Sequence, residues 1–353
     1  MEDLNNTKLI KQIDQEDMLI HLLEMPNLCQ QAWQTAMEFN LPRDYSDVNK
    51  IIISGMGASA IGGDLIRSMV ASEAKLAIFV QRDYDLPSFV DTQTLVIASS
   101  YSGMTEEVLS SFEQALRKGA KKLVITTGGK LKNLAEKDGT PVFSFGYKAQ
   151  PRAALPFSVF PIMAFLQKLG FISNKLPSVT ETVQVLRELT RRIDQCAPLS
   201  RNLAKQLASK LHNHLTVIYS GGILAEVGRR WKTQLNENSK AWAFHEVFPE
   251  LNHNAVAGYQ FPAELTNRIA VVLLRSSSLP QQIKLRYDAT CKLLDQSRIV
   301  CHIVDSEGIS PLSQMMSLVL FGDYVSCYLA IMNKVDPTPV ASIDHLKMQF
   351  SHS

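Results

Sequence analysis

The sequence lacks an excess of charge of either sign. Its 353 residues include 36 Lys and Arg against 34 Asp and Glu, a formal net charge of +2. A chain so nearly neutral has no strong field with which to hold a polyanion. We therefore expect no nucleic-acid partner.

Clustered cysteines are also missing. The five cysteines form no C-x-x-C pair and have no histidine at the spacing of metal ligands; they are Cys29, Cys196, Cys291, Cys301 and Cys327. Scattered, unpaired cysteines are typical of a reducing compartment. The sequence thus predicts no metal site, no disulfide framework and a cytoplasmic location.

Long hydrophobic runs are absent as well. Residues 1–15 are polar and charged, unlike a secretory signal. The most apolar late stretch, 318–332, is short and contains Asp323. This stretch predicts a buried core helix, and we expect no membrane partner.

Short β-branched runs alternate with segments of helical periodicity. The predicted strands are 51–54, 76–80, 94–98, 122–126, 141–145, 215–219, 268–274 and 298–304. Where two strands start about 30 residues apart, the spacing fits one strand-helix-strand unit. The pattern predicts an α/β fold with two parallel sheets, each flanked by helices in a flavodoxin-like αβα sandwich, related as internal repeats.

Length and composition divide the chain into four segments. A chain of 353 residues exceeds the usual size of one hydrophobic core. We predict an N-terminal domain at 1–155, a helical linker at 156–210, a second domain at 211–335 and a tail at 336–353. The tail follows a proline-rich break and ends in a short helix.

Two predicted strand-to-helix turns are rich in glycine and hydroxyl groups, namely 54–64 and 99–107. A phosphate at such turns would meet unpaired helix N–H groups, the favourable end of the helix dipole and hydroxyl donors. The candidate phosphate-binding residues are Gly57, Ser59, Ser100, Ser102 and Thr105.

Other interpretations of these turns remain open. Gly55, Gly57 and Ala60 fit a dinucleotide fingerprint, with Asp83 near the position of the ribose-binding acid. The second turn could also be a simple helix cap. A dinucleotide site, however, has no use for the hydroxyls of the second turn, whereas a compact phosphate monoester uses both turns.

Four further motifs follow in order, and with them the sequence resembles the bifunctional phosphoglucose/phosphomannose isomerases, which are built from sugar isomerase (SIS) domains. The motifs are PRAAL at 151–155, QLNENSK at 234–240, PELNHN at 249–254, and DPTPV at 336–340 leading to IDHLK at 343–347. Two departures stand out. Met104 occupies a position where asparagine is expected, and Ala58 and Ala60 flank Ser59 where glycines are usual.

The resemblance implies an aldose-ketose isomerase that interconverts glucose 6-phosphate, and mannose 6-phosphate, with fructose 6-phosphate. The reaction proceeds through a cis-enediol and needs no metal and no cofactor. The expected partners are small-molecule hexose phosphates and a second copy of the chain in a homodimer.

The resemblance also assigns the catalytic residues. Glu237, expected at the mouth of the second sheet, is the base. His253 opens the sugar ring in the neighbouring subunit's site. Lys347 acts near the ring oxygen or O1, and Arg152 lies against the enediolate. The remaining pocket residues are Gly55, Tyr101 and Thr338.

Three alternatives remain. A regulatory SIS protein would bind a sugar phosphate without turnover, and DNA-binding versions normally carry a basic helix-turn-helix segment. The isomerase part of a glucosamine-phosphate synthase would accompany an amidotransferase domain, for which residues 1–50 are too short. An NAD-dependent dehydrogenase rests on the glycine fingerprint alone.

Overall fold

The chain folds into two α/β units, as a computed structural model that describes residues 2–350 shows. The first unit is Met25–Val183. The second comprises the described residues of Met1–Glu24 and Gln184–Ser353. The four segments predicted above stay predictions, and residues 351–353 of the predicted tail lie outside the described residues.

Helices and strands alternate through most of the chain. The first elements are α1 (Thr7–Ile13), α2 (Met18–Glu38), β1 (Lys50–Ser54), α3 (Gly57–Val70), β2 (Ala77–Gln81), β3 (Thr94–Ser99), α4 (Glu106–Arg117), β4 (Lys121–Thr126), α5 (Gly129–Asp138), β5 (Val142–Ser144) and α6 (Pro156–Lys168). The later elements are α7 (Leu176–Ile193), α8 (Leu203–Leu211), β6 (Leu215–Gly221), α9 (Ala225–Glu237), β7 (Ala243–Phe248), β8 (Ile269–Arg275), α10 (Gln281–Gln296), β9 (Val300–Asp305), α11 (Pro311–Met332) and α12 (Ala341–Phe350).

The first unit contains a parallel sheet in the order β2-β1-β3-β4-β5. Its central strand β3 is buried along its whole length, which is why it appears in the sequence as a continuous, mostly apolar run. Helix α3 lies very close to this sheet. A Cβ atom at Gly63 would approach a side-chain carbon of Ile53 to 2.7 Å, and one at Gly62 would approach Ser158 of α6 to 2.5 Å.

The second unit contains a parallel sheet in the order β7-β6-β8-β9. Strand β7 pairs with β6 from Thr216↔Ala243 to Gly221↔Phe248 and lies at one edge. Together the two sheets confirm the predicted α/β class with two related parallel sheets. The sequence analysis nevertheless missed β7, because half of this edge strand faces outward and it lacks a β-branched run.

The 22-residue helix α11 forms the centre of the second unit. It is long and apolar enough to cross a membrane, yet nearly all of it is buried inside the protein. The predicted core helix is thereby confirmed. Against it packs Trp231 of α9, whose Nε1 donates a hydrogen bond to the carbonyl oxygen of Leu318 at 2.8 Å. The ring fits over Gly322, where a Cβ atom would lie only 2.3 Å from the indole.

We therefore expect Gly322→Ala to destabilise the second unit, because the added methyl group must displace the buried indole. Overpacking of this kind costs about 1–3 kcal/mol of unfolding free energy. Urea denaturation followed by tryptophan fluorescence measures the change. Gly258→Ala is the control, since its Cβ would meet nothing within 4 Å. Equal stabilities of the two variants would contradict the close contact between α9 and α11.

Candidate active site

In the first unit, the turn between β1 and α3 places Ser59 in the first turn of the helix, where it is buried. The residue before the helix, Met56, gives no side-chain hydrogen bond to that turn. Gly57 has a φ of +50°, a conformation that favours glycine, and nothing would lie within 4 Å of a Cβ atom there. This glycine is needed for its backbone conformation, and it leaves open space above the helix N-terminus.

The second hydroxyl-rich turn joins β3 to α4. Ser100 Oγ and Thr105 Oγ1 lie 2.8 Å apart, and Ser100 Oγ also accepts a hydrogen bond from the backbone of Gly103 at 3.1 Å. Ser102 is exposed. Thr105 precedes α4 without capping it through its side chain. The simple helix-cap interpretation is therefore wrong for Thr105, whose hydroxyl lies beside that of Ser100.

Two glycines lock this turn against the one that follows β4. A Cβ atom at Gly103 would lie 1.8 Å from the carbonyl oxygen of Gly128, and one at Gly129 would lie 2.3 Å from that of Ser102. Both glycines have positive φ angles. Met104, the departure noted in the sequence, is exposed, and its sulfur accepts a hydrogen bond from the backbone of Lys130 at 3.3 Å. The Met104 side chain thus contacts the start of α5.

Tyr101 connects the hydroxyl turn to the segment that carries Arg152. The Tyr101 hydroxyl donates to the carbonyl oxygen of Tyr147 at 2.7 Å and accepts from the backbone N–H of Ala149 at 3.0 Å. Ser59, Tyr101 and Pro151 lie around one narrow crevice. Arg152 itself is buried. The first unit thus brings both turns and the PRAAL segment into one neighbourhood, with Gly55 buried directly beneath Ser59 and Ala60.

In the second unit, Glu237 is the last residue of α9 and is half-buried. The two residues after it are fixed to α11. Asn238 Nδ2 donates to Ser326 Oγ at 2.8 Å, and Ser239 Oγ donates to the carbonyl oxygen of Ser326 at 2.7 Å. Two turns earlier, Arg230 forms a buried ion pair with Asp323 at 2.6 Å. These contacts fix the end of α9, from which the Glu237 side chain extends.

Lys240 is a site residue that the sequence analysis did not identify. Its Nζ donates to the carbonyl oxygens of Glu237 and Asp336, both at 2.8 Å, and to that of Pro337 at 3.1 Å. One ammonium group thus joins the end of α9 to the turn that carries Thr338. The available signal was its place at the end of the QLNENSK motif, but a lysine's acceptors cannot be deduced from its neighbours in sequence.

Two further predicted residues of the second unit, Thr338 and Lys347, come later in the sequence than Lys240. Thr338 is buried, and its backbone N–H donates to Asp336 Oδ1 at 2.9 Å. Lys347 lies on α12 and is exposed. Beside them is a groove of about 780 Å³ that Lys240, Asp336, Pro339 and the exposed Trp242 help to line.

His253 lies at the opposite end of the second sheet from Glu237. It follows the carboxyl end of β7 and is exposed, whereas α9 runs back along the sheet so that Glu237 lies at the amino end. At about 3.3 Å per residue, the seven-residue strand β6 separates the two ends by about 20 Å. Glu237, expected at the mouth of this sheet, thus lies at its amino end, and within one chain the sheet does not bring Glu237 and His253 together.

The turn with His253 is held in place by α10. Asn252 Nδ2 donates to Thr290 Oγ1 at 2.8 Å, and Arg286 Nη1 donates to Asn252 Oδ1 at 3.4 Å. Nearby, His245 Nε2 and Ser220 Oγ are 2.8 Å apart at the adjacent strands β7 and β6. Burial and the neighbouring Arg229 lower the pKa of His245 to about 4, so it is neutral near pH 7. Among residues 2–350, no three His, Cys, Asp or Glu side chains form a group that could hold a metal ion.

Known family models match both parts of the chain. A model of the SIS domain matches residues 44–138. A model described as the bacterial phospho-glucose isomerase C-terminal SIS domain matches residues 200–350. The first match spans strands β1 to β4 of the first sheet, and the second match spans all four strands of the second sheet.

Relatives match over nearly the whole length. A bifunctional phosphoglucose/phosphomannose isomerase from Caldicellulosiruptor bescii is 42% identical over 331 residues, which are 94% of this chain and 98% of the relative. A protein of the same name from Aquifex aeolicus is 34% identical over 87% of this chain and 92% of the relative. A solved structure of a hypothetical protein from Thermus thermophilus has a TM-score of 0.77 and 16% identity over 99% of this chain and 93% of its own, a likeness that concerns the fold alone.

We expect Lys240→Met to loosen the turn at 336–338, because methionine fills similar space but cannot donate to the carbonyl groups of Asp336 and Pro337. Hydrogen-deuterium exchange of peptides covering 334–340 should become faster than in the wild type. Lys232→Met is the control, since Lys232 lines the same groove without a described hydrogen bond to this turn. Unchanged exchange in Lys240→Met would show that the turn does not depend on the ammonium group.

Proposed function

This chain belongs to the family of bifunctional phosphoglucose/phosphomannose isomerases, and we propose how its residues carry out the reaction of that family. It is an aldose-ketose isomerase that interconverts glucose 6-phosphate and mannose 6-phosphate with fructose 6-phosphate. The single observation that carries this conclusion is the 42% identity over 94% of the chain to a relative of that name.

We propose that the two hydroxyl turns of the first unit bind the substrate phosphate. Ser59, Ser100, Ser102 and Thr105 would donate hydrogen bonds to its oxygens, and the N-termini of α3 and α4 would add backbone N–H groups and favourable dipoles. The absence of a side-chain cap at both helices supports this role, because their first turns keep donors available. Gly55, Gly57 and Tyr101 would shape the pocket around these donors.

Glu237 is the proposed base. An aldose and a ketose interconvert when a proton moves between C1 and C2 through a cis-enediol, which requires one base near both carbons. The anchored end of α9 holds such a carboxylate on a rigid element. Protonation on either face of C2 after rotation about the C2–C3 bond would yield both epimers. Arg152 would stabilise the enediolate, Lys347 would act near O1 or the ring oxygen, and Thr338 would line the pocket.

We further propose that the enzyme is a homodimer in which His253 opens the sugar ring bound by the other subunit. About 20 Å separates the two ends of the second sheet, which is too far for Glu237 and His253 of one chain to act on one hexose. A two-fold symmetric dimer would give each site one residue from each chain. Hexose phosphates as substrates and five free cysteines support a cytoplasmic location.

We expect Glu237→Gln to reduce conversion of fructose 6-phosphate by a factor of about 10² to 10⁴, since the amide cannot accept the C2 or C1 proton. A coupled assay in the presence of EDTA measures both product epimers. Glu264→Gln, a change in an exposed turn of the same unit, should leave both rates unchanged. Equal activity of Glu237→Gln and wild type would refute the assignment of the base.

Mixing two inactive chains tests the shared site. Glu237→Gln and His253→Ala chains, unfolded and refolded together, form mixed dimers in which one of the two sites has both residues intact. Random assortment should restore about a quarter of the wild-type activity. The matched control is a refolded mixture of Glu237→Gln and a chain carrying both substitutions, which should remain inactive. No recovery in the first mixture, at a confirmed fraction of mixed dimers, would count against a site formed by two chains.

A further inference from the structure

Two cysteines that have no part in the proposed reaction lie next to each other in the second unit. Cys291 of α10 and Cys301 of β9 have sulfur atoms 3.7 Å apart. Both side chains are half-buried, so a small reagent can reach them, and both are free thiols. None of the residues assigned above uses them.

The helix that carries Cys291 also positions the His253 turn. Thr290, the preceding residue, is completely buried and accepts the 2.8 Å hydrogen bond from Asn252. Arg286, one turn earlier on α10, donates to the same asparagine. Because a hydrogen bond weakens over a few tenths of an ångström, a small displacement of this helical turn would change the position of Asn252 and of His253 beside it.

We propose that Cys291 and Cys301 are a reversible oxidation site, which a hydroperoxide converts to an intramolecular disulfide, and that the bond displaces the His253 turn through α10. Bond formation draws the two sulfurs from van der Waals contact to bonding distance. Side-chain rotation and a shift of α10 toward β9 must supply that movement. The second half of the proposal rests on the function proposed for His253.

The chemistry balances with hydrogen peroxide as the oxidant. The Cys291 sulfur attacks one peroxide oxygen and the O–O bond breaks. Cys291 becomes a sulfenic acid, and the departing hydroxide takes up the former thiol proton and leaves as water. The Cys301 sulfur then attacks the Cys291 sulfur, the S–O bond breaks, and the second water leaves with the Cys301 proton. Two thiols are oxidised and one peroxide is reduced. Burial and the neighbouring Cys291 raise the pKa of the Cys301 thiol, so the proposed sequence of steps has Cys301 as the second sulfur to react.

The linkage is tested on the full chain without any assay of activity. After treatment with hydrogen peroxide, wild type should lose about 2 Da and yield a peptide pair joined through Cys291 and Cys301. Cys291→Ser and Cys301→Ser should not form this pair. Cys196→Ser, which removes an exposed cysteine, should form it as wild type does. Absence of the linked pair in wild type, or its persistence in either of the first two variants, would overturn the oxidation site.

The coupling to His253 is tested on the same samples. Oxidised wild type should convert fructose 6-phosphate about tenfold more slowly or worse, and dithiothreitol should restore the rate. Inhibition by inorganic phosphate should not change, because the proposed phosphate turns belong to the first unit. Full activity of the enzyme that carries the Cys291–Cys301 disulfide would overturn the proposed effect on the His253 turn. If the reduced enzyme is itself inactive, the proposed function fails while the test of the linkage still stands.

Discussion

The contact between α9 and α11 is the constraint on which the second unit depends. Arg230 and Asp323 form an ion pair that is almost completely buried, and removal of one partner from such a pair costs about 3–5 kcal/mol because the other charge stays buried. The two helices pack closely because Gly322 has no side chain and the Trp231 ring lies directly over it. The end of α9 is therefore fixed, and with it the position of Glu237. A carboxylate at the end of an anchored helix can be directed at two adjacent carbons without the freedom of a loop residue, which suits the role proposed for Glu237.

The first unit has a different task under the proposed function, since it would present hydrogen-bond donors to a phosphate without a surplus of positive charge. It would do so with helix N-termini and with hydroxyl groups whose turns are held by glycines. Gly103 and Gly129 interlock so tightly that a side chain at either would collide with a backbone carbonyl. This rigidity keeps Ser100 and Thr105 side by side before any ligand arrives. The nearly neutral composition of the chain is consistent with such a site.

The distribution of the proposed catalytic groups follows from the topology of a parallel sheet. A helix that connects two parallel strands returns to the amino end, so a residue at its C-terminus and a residue after the next strand lie at opposite ends. Glu237 and His253 have these two positions. A role for both in one reaction thus calls for a second chain, and dimerisation becomes part of the chemistry rather than an addition to it. In such a dimer, α10, which holds Asn252, would influence the site of the partner subunit.

The sequence by itself determined the fold class, the position of the two hydroxyl-rich turns and the family, because these depend on local patterns: buried β-branched runs, glycines and hydroxyls at strand ends, and ordered motifs. It did not determine strand β7, whose half-exposed residues carry no strong periodic signal. Nor could it identify Lys240, whose acceptors at Asp336 and Pro337 lie almost a hundred residues further along the chain. The placement of Glu237 and His253 at opposite ends of one sheet was likewise decided only by tertiary structure, because it depends on the parallel pairing of β7, which lies between these two residues, with β6.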